Sequence, residues 1–135
     1  MKVNFLLCEE VRQELYNKCS LLGFFAGDVI ILDNKRAVGI TEDLPIGIDK
    51  LVIVSIISDA QKGTFQIDGK ILDPLNELYQ NFSVGTVTAE TGLSNTILFE
   101  IKPFVVKLYG TYVYELKIGN ELFRYNFEVR EQSLC

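Results

Sequence analysis

Residues 110–129 of this chain, GTYVYELKI-GN-ELFRYNFEV, decide the fold because they have the pattern of a β-hairpin. Gly119 and Asn120 stand between two runs of alternating apolar and polar residues, and both types tolerate the positive φ angles of a two-residue turn. Folding at this turn places three residue pairs on one face: Leu116–Phe123, Tyr114–Tyr125 and Tyr112–Phe127. The opposite face pairs Glu115 with Arg124. A one-residue slip would exchange the two faces, so the pattern predicts one register of a half-buried antiparallel sheet.

The start of this hairpin carries a second signal. Tyr112 lies two residues after Gly110, where a strand begins after a crossover. This is the placement of the tyrosine corner of immunoglobulin-like sandwiches, whose hydroxyl bonds to backbone upstream. We therefore expect structural roles for Tyr112 and Gly110, as for the turn residues Gly119 and Asn120.

Apolar or alternating runs predict the other strands, at residues 3–8, 19–25, 29–32, 51–58, 64–71, 82–90 and 95–102, and residues 104–108 lead into the hairpin. The near-continuous apolar run at residues 51–58 indicates a central strand covered on both faces. Residues 33–50 are typical of a loop. Asp73-Pro74 matches an N-cap followed by proline, which predicts a short helical turn through residue 79. Residues 9–18 favour either a helical turn or a polar connection.

This pattern predicts an all-β fold for a single domain over residues 1–135. The architecture we expect is an antiparallel, immunoglobulin-like β-sandwich of roughly seven to nine strands with one or two short helical turns. A small β-barrel is the alternative. A chain of 135 residues with 48% hydrophobic residues has ample core for one domain.

Charge and cysteine content restrict the partners and the compartment. A net charge of -5 with 13 scattered basic residues disfavours nucleic acid and anionic membrane surfaces, which are bound through clustered Lys and Arg. No apolar run reaches the ~20 residues of a membrane helix. The cysteines at positions 8, 19 and 135 are odd in number and lack metal-ligand spacing, which predicts a reducing cytoplasm. We expect Cys8 and Cys19 to be buried.

The residue types needed for common catalysis are largely missing. The chain has no histidine, which removes the Ser-His-Asp and Cys-His hydrolases and the commonest general base. No glycine-rich phosphate loop is present. We therefore expect no enzymatic activity, no cofactor and no metal site.

Two clusters nevertheless allow a chemical interpretation. Cys8 could be a nucleophile beside Arg12, but the adjacent carboxylates of Glu9 and Glu10 would raise its pKa, which favours core packing. Arg12 could instead pair with a carboxylate and lock this connection against the sandwich. The second cluster comprises four acidic residues that could bind calcium: Asp28, Asp33, Glu42 and Asp43. Without a repeated Asp spacing, turn and cap roles are favoured for them.

The block Cys8-Glu9-Glu10-Val11-Arg12, followed by Lys18-x-Ser-Leu-x-Gly23, resembles the opening of a family of uncharacterised bacterial proteins. The Gly-x-Tyr hairpin near the end of the chain is also similar to that family. The resemblance implies a β-sandwich in a bacterial or mobile-element context, and it implies no activity.

These expectations favour a non-catalytic binding or interaction module whose partner is another protein or a second copy of the chain. Its candidate binding surface is the polar connection with Glu9, Glu10 and Arg12, for which a merely solvated role is the simpler interpretation. The module could self-associate through an exposed edge strand or an apolar face. The alternatives are a structural subunit of a phage or mobile-element assembly and an enzyme of unfamiliar type, centred on Cys8 or on a carboxylate pair.

Overall fold

The structure of the protein, a computed structural model, describes residues 1–15, 18–32 and 46–131. In chain order the described strands are β1 (Lys2–Cys8), β2 (Glu10–Gln13), β3 (Cys19–Leu22), β4 (Val29–Leu32), β5 (Ile46–Ile48), β6 (Leu51–Ser58), β7 (Gly63–Leu72), β8 (Leu78–Ala89), β9 (Asn95–Ile101), β10 (Phe104–Val106), β11 (Gly110–Ile118) and β12 (Glu121–Glu131). A 3-10 turn, Ala26–Asp28, precedes β4. In the parts described, no helix is long and apolar enough to cross a membrane.

Two sheets form the sandwich. A three-stranded sheet has the order β1-β6-β9, and a five-stranded sheet has the order β4-β12-β11-β7-β8. Two small ladders, β2–β3 and β5–β10, lie beside them. The main sheets are open and, over the described strands, are not closed into a barrel. The all-β sandwich prediction is therefore confirmed.

Two details of the prediction need correction. The described strands number twelve rather than seven to nine, because short strands such as β5 and β10, of three residues each, are too brief to show a periodic pattern. The sandwich is also not wholly antiparallel, since the edge strand β4 runs parallel to β12.

The terminal hairpin has the predicted register. Tyr112 pairs with Phe127 and Glu115 with Arg124, so the aromatic face and the charged face fall as the alternation requires. Gly119 has a φ of +59°, whereas Asn120 is not among the residues with positive φ. A glycine at the first turn position is what a type II′ turn needs, so the positive φ expected of both residues occurs at Gly119 alone.

The core is an aromatic layer between the two sheets. Phe5 of β1 stacks on Tyr125 of β12 with 5.2 Å between ring centroids. Phe99 of β9 stacks on Tyr114 of β11 at 5.7 Å. The central strand β6 is buried on both faces, as predicted: Ile53 faces this layer, and Val54 faces away from it into a second apolar cluster.

Tyr112 anchors the start of β11. Its hydroxyl donates a 2.8 Å hydrogen bond to the carbonyl of Leu108, and its ring is buried. Gly110 has a φ of +138°, and a Cβ at this position would lie 3.0 Å from the Cβ of Pro74. The crossover before β11 therefore depends on the tyrosine hydroxyl and on the absence of a side chain at Gly110.

We expect Tyr112→Phe to lower the free energy of unfolding by about 1–2 kcal/mol, since it removes one buried hydrogen bond and leaves the Leu108 carbonyl without this donor. Urea denaturation of the two proteins measures the difference. A midpoint unchanged within error would contradict the corner assignment.

One local prediction of helical structure is wrong, and neither alternative for residues 9–18, a helical turn or a polar connection, included the strand found there. Residues 73–77 form a turn in which an Asp73 carboxylate oxygen accepts hydrogen bonds from the backbone N–H groups of Leu75 and Glu77, each at 2.9 Å. These hydrogen bonds close a tight turn, and β8 begins directly after it at Leu78. Residues 10–13 form β2, because they pair with β3 instead of bonding within their own segment.

Candidate functional site

Glu9 lies at the bend between β1 and β2, and its position there depends mainly on contacts with Gly23. The backbone N–H of Glu9 donates to the carbonyls of Leu22 and Gly23, both at 3.1 Å. Gly23 has a φ of +66°, and a Cβ there would lie 2.8 Å from the Cδ of Glu9. The positive φ favours glycine at this position, and a Cβ there would require the exposed Glu9 side chain to move.

The two halves of the sequence block that resembles the bacterial family are neighbours in space. They form the β2–β3 hairpin, in which Val11 lies opposite Leu21 and Arg12 opposite Ser20. Val11 and Leu21 pack against an apolar cluster on the outer face of the three-stranded sheet, whose buried members are Cys8, Val52 and Val54. Part of this block therefore has a packing role.

Glu9 and Glu10 line an open groove at the end of the three-stranded sheet where β1 and β9 finish and β6 begins. The groove has a volume of about 930 Å³. Its other lining residues come from the β5–β6 connection and the β9–β10 connection: Gly47, Ile48, Asp49, Lys50, Lys102 and Pro103. Sheet pairing brings these three chain segments together, because Cys8 is opposite Val52 and Val52 is opposite Glu100.

The groove carries charges of both signs that are only weakly paired. Lys50 Nζ lies 3.5 Å from an oxygen of Glu100, and Arg12 Nη2 lies 3.8 Å from Glu10 Oε2. Exposed ion pairs of this kind contribute about 0–1 kcal/mol each. Breaking these ion pairs in order to bind a charged partner therefore costs little free energy.

Arg12 itself does not line the groove, and its pairing differs from the expected lock. It contacts Glu10, two residues away on the same strand. An ion pair within one strand cannot tie that strand to the sandwich. Arg12 therefore acts on the groove only through Glu10.

The wall of the groove formed by β5 depends on a close backbone approach. Gly47 pairs with Val105, and a Cβ on Gly47 would lie 2.1 Å from the carbonyl oxygen of Phe104. Our prediction of a loop over residues 33–50 missed this strand. A glycine flanked by isoleucines was the available signal, but three residues are too few to establish an alternation.

Cys8 has no features of an activated nucleophile. Its side chain is fully buried, and burial raises the pKa of the thiol, with Cys19 and Glu9 adding to the rise. A backbone hydrogen bond from Glu10 acts in the opposite direction. The thiol is therefore neutral at physiological pH, which supports the core-packing interpretation.

The prediction that Cys19 is buried is wrong, because Cys19 is exposed. It lies at the far end of the β2–β3 hairpin, whereas Leu21 reaches the apolar cluster. Cys19 lines a cleft of about 270 Å³ between this hairpin and Leu98 of β9.

Alkylation by iodoacetamide under native conditions should therefore modify Cys19 and leave Cys8 unmodified. Peptide mass spectrometry before and after unfolding assigns each modification to its cysteine, and Cys19 is the internal control. Native labelling of Cys8 at the rate of Cys19 would revive the nucleophile hypothesis.

The acidic residues considered for calcium do not form a site in the described structure. Asp28 accepts a 2.5 Å hydrogen bond from the hydroxyl of Tyr125, which ties the turn before β4 to β12. Asp33, Glu42 and Asp43 lie outside the described residues. Among the residues the structure does describe, no three His, Cys, Asp or Glu side chains are grouped to hold a metal ion.

The outer face of the five-stranded sheet has a second depression, of about 540 Å³. Its centre is Glu115, whose carboxylate lies 3.4 Å from Lys70 Nζ and 3.3 Å from Arg124 Nε. The hairpin register predicted the contact with Arg124, but Lys70 comes from β7 and could not be assigned without the sheet order. The Glu115 carboxylate is already paired with Lys70 and Arg124, so this face offers fewer free charges to a partner than the groove does.

Comparisons with protein-family models and with curated proteins found no match to this chain.

Gly23→Ala and Gly27→Ala form a matched pair that tests how Glu9 is held. Both glycines have similar positive φ angles, +66° and +71°, but a Cβ on Gly27 would meet nothing within 4 Å. Each substitution should cost about 1 kcal/mol of backbone strain, and Gly23→Ala should also displace the Glu9 side chain. Thermal unfolding and backbone NMR shifts at residues 9–10 measure the two effects. The contact between Gly23 and the Glu9 side chain would be refuted if both variants lost the same stability and Gly23→Ala caused no NMR shift changes at residues 9–10 beyond those of Gly27→Ala.

Proposed function

We propose that this protein is a non-catalytic interaction module that binds a partner protein through the groove containing Glu9 and Glu10. The observation that carries the proposal is the convergence of three chain segments, which bring acidic and basic side chains into one open groove on a packed sandwich. Loops and strand ends on a rigid scaffold are the usual position of binding residues. Charges of both signs suit a protein surface of complementary pattern better than a polyanion.

Other features support the remaining parts of this proposal. The neutral, buried Cys8 and the absence of histidine argue for binding rather than catalysis. The free thiols of Cys8 and Cys19 suit a reducing cytoplasm. The Tyr112 hydroxyl bond supports an immunoglobulin-like assignment for the sandwich. We expect neither nucleic acid nor a membrane as partner, given the net charge of -5.

The test is a native pull-down of the tagged protein from its source cells, compared with two charge-reversal variants. Glu9→Lys/Glu10→Lys changes the groove. Glu77→Lys/Glu121→Lys makes the same change in net charge at two exposed positions that do not line the groove. We expect a reproducible partner that the first variant loses and the second retains.

Equal retention by both variants would place the binding surface elsewhere and contradict the proposal. Equal loss would mean that the effect follows net charge and not the groove. Far-UV circular dichroism of the variants establishes that each is folded before the comparison is made.

A structural subunit of a phage or mobile-element assembly is the second candidate. The open sheets favour it, since their edge strands offer unpaired backbone groups among the described residues. Sizing by light scattering distinguishes the two functions, because an assembly subunit forms defined rings or fibres and an interaction module does not.

A further inference from the structure

One strand of the groove has an open backbone edge. β5 pairs with β10 and, among the described strands, with no other. Gly47 of β5 is exposed and lines the groove. Because glycine has no side chain, the atoms that Gly47 presents to the groove are those of its backbone. The groove therefore contains a peptide backbone as well as charged side chains.

The hydrogen bonds of β10 determine which way the backbone groups of Gly47 point. Val105 lies opposite Gly47, and its N–H donates a 3.0 Å hydrogen bond to the Tyr79 hydroxyl on β8 and not to β5. In an antiparallel ladder, pairs that exchange hydrogen bonds alternate with pairs that do not. Val105 and Gly47 are therefore a pair of the second kind, in which the N–H and C=O of each residue point away from the other strand.

The close approach of Gly47 to β10 agrees with this orientation. Cα atoms lie about 4.5 Å apart in a pair without exchanged hydrogen bonds and about 5.5 Å apart in a bonded pair. A Cβ on Gly47 would lie only 3.1 Å from the Cα of Val105. The Cα of Gly47 therefore faces β10, and its N–H and C=O face the open side of β5.

We propose that the partner binds by adding an extended segment to the open edge of β5, with its backbone hydrogen-bonded to the N–H and C=O of Gly47. This inference rests on the proposed function and specifies the part of the partner that enters the groove. Strand addition to a free sheet edge is a general mode of peptide recognition, and a glycine within a strand can mark a site that another backbone approaches closely. β10 cannot serve in this way at Val105, since the Tyr79 hydroxyl already accepts from its N–H.

The charges around this edge indicate a segment that carries a basic side chain. Asp49 directly follows β5, Glu9 lines the same groove, and both are exposed. Neither carboxylate forms an ion pair with a described residue. Lys50 is paired with Glu100, which leaves Lys102 as the lining cation available to a partner. A three-residue edge supplies few hydrogen bonds, so an ion pair with these carboxylates would supply part of the affinity.

A backbone methylation scan of a bound peptide tests the strand addition. Random linear peptides displayed on phage are selected on the folded full chain, and a selected peptide is synthesised with one N-methyl group at each position in turn. A strand that pairs through one edge directs alternate N–H groups at its neighbour. We expect methylation at alternate positions to weaken binding about tenfold, and methylation at the intervening positions to leave it nearly unchanged.

Two measurements on the protein locate the bound peptide. In proton–nitrogen NMR spectra we expect the amide resonance of Gly47 to shift when the peptide binds. Asp49→Asn should weaken binding about two- to fivefold, since it removes one exposed ion-pair partner. Glu90→Gln makes the same change in charge at an exposed position that does not line the groove, and it should leave binding unchanged. Equal binding by these two variants would contradict the basic side chain.

The strand addition would be overturned if no peptide were selected, if the methylation scan lacked the alternation, or if the Gly47 resonance did not change. A Gly47 resonance that shifts with the concentration of the protein alone would assign the edge to a second copy, and would also overturn it. A partner lost only by the Glu9→Lys/Glu10→Lys variant, without alternation in any peptide, would support the proposed function and overturn the strand addition alone. Alternation with a Gly47 shift, while both charge-reversal variants retain the partner, would support the strand addition and contradict the proposed function.

Discussion

Replacing Phe127 with alanine is expected to lower the free energy of unfolding by about 3–5 kcal/mol. The ring is 1% exposed and stacks on Tyr112 with 5.5 Å between centroids. It also contacts the rings of Tyr125 and Phe104. The substitution removes the centre of this aromatic cluster and leaves a cavity that rigid neighbours cannot fill. Such a loss is a large part of the 5–15 kcal/mol that stabilises a typical domain.

Urea denaturation measures this loss, and Leu122→Ala is the matched control. Leu122 lies on the same strand and is 50% exposed, so its truncation should cost well under about 1 kcal/mol. If Phe127→Ala does not fold, Phe127→Leu gives a smaller loss of the same origin. A Phe127 variant no less stable than the Leu122 variant would contradict the burial of Phe127 in this aromatic cluster.

Alkaline pH should destabilise the protein through Tyr114. Burial raises the pKa of its phenol to about 12, against the modest opposing effect of the Ser55 side chain. An unfolded tyrosine has a pKa near 10. The folded chain therefore retains this proton more tightly, and the stability it contributes is fully present below about pH 10 and is lost as the pH rises toward 12. For this group alone the loss is about 1.4 kcal/mol per pH unit, or about 2–3 kcal/mol in all.

Tyr114→Phe is the control for this titration. Tyr112, Tyr125 and Cys8 also have raised pKa values, each mainly from burial, so the variant should keep part of the alkaline loss. The slope of unfolding free energy against pH between about pH 10 and 12 should become shallower by about 1.4 kcal/mol per unit. Equal slopes for the two proteins would show that Tyr114 does not titrate as its burial requires.

The parts of the fold that could be predicted are those whose sequence pattern lies entirely within one segment of the chain. The hairpin of β11 and β12 has a turn and two alternating runs, and β6 has an unbroken apolar run. The short strands β2, β5 and β10 gave no such signal. β5 pairs with β10, which is distant in the chain, and this pairing needs the close approach that Gly47 allows. β2 pairs with the nearby β3, but its four residues are too few to show an alternation. Asp73-Pro74 misled the prediction because the same residue types serve a helix start and a tight turn.

The candidate site was predictable only in part for the same reason. Glu9 and Glu10 stood out as a polar block after an apolar strand. Asp49, Lys50 and Lys102 did not, because nothing local connects them with residue 9. The order β1-β6-β9 brings them together, and that order is a property of the whole sheet. Arg12 belongs to the same sequence block but lies outside the groove, since its side chain pairs along β2.

The most direct test of the proposed interaction module is amide hydrogen exchange of the protein alone and in complex with the partner recovered by the pull-down. We expect new protection on partner binding at residues 9–10, 47–50 and 102, which belong to the three segments that line the groove. Protection confined to β8, or to the outer face of the five-stranded sheet around Glu115, would show that the partner binds elsewhere and would contradict the assignment of the groove.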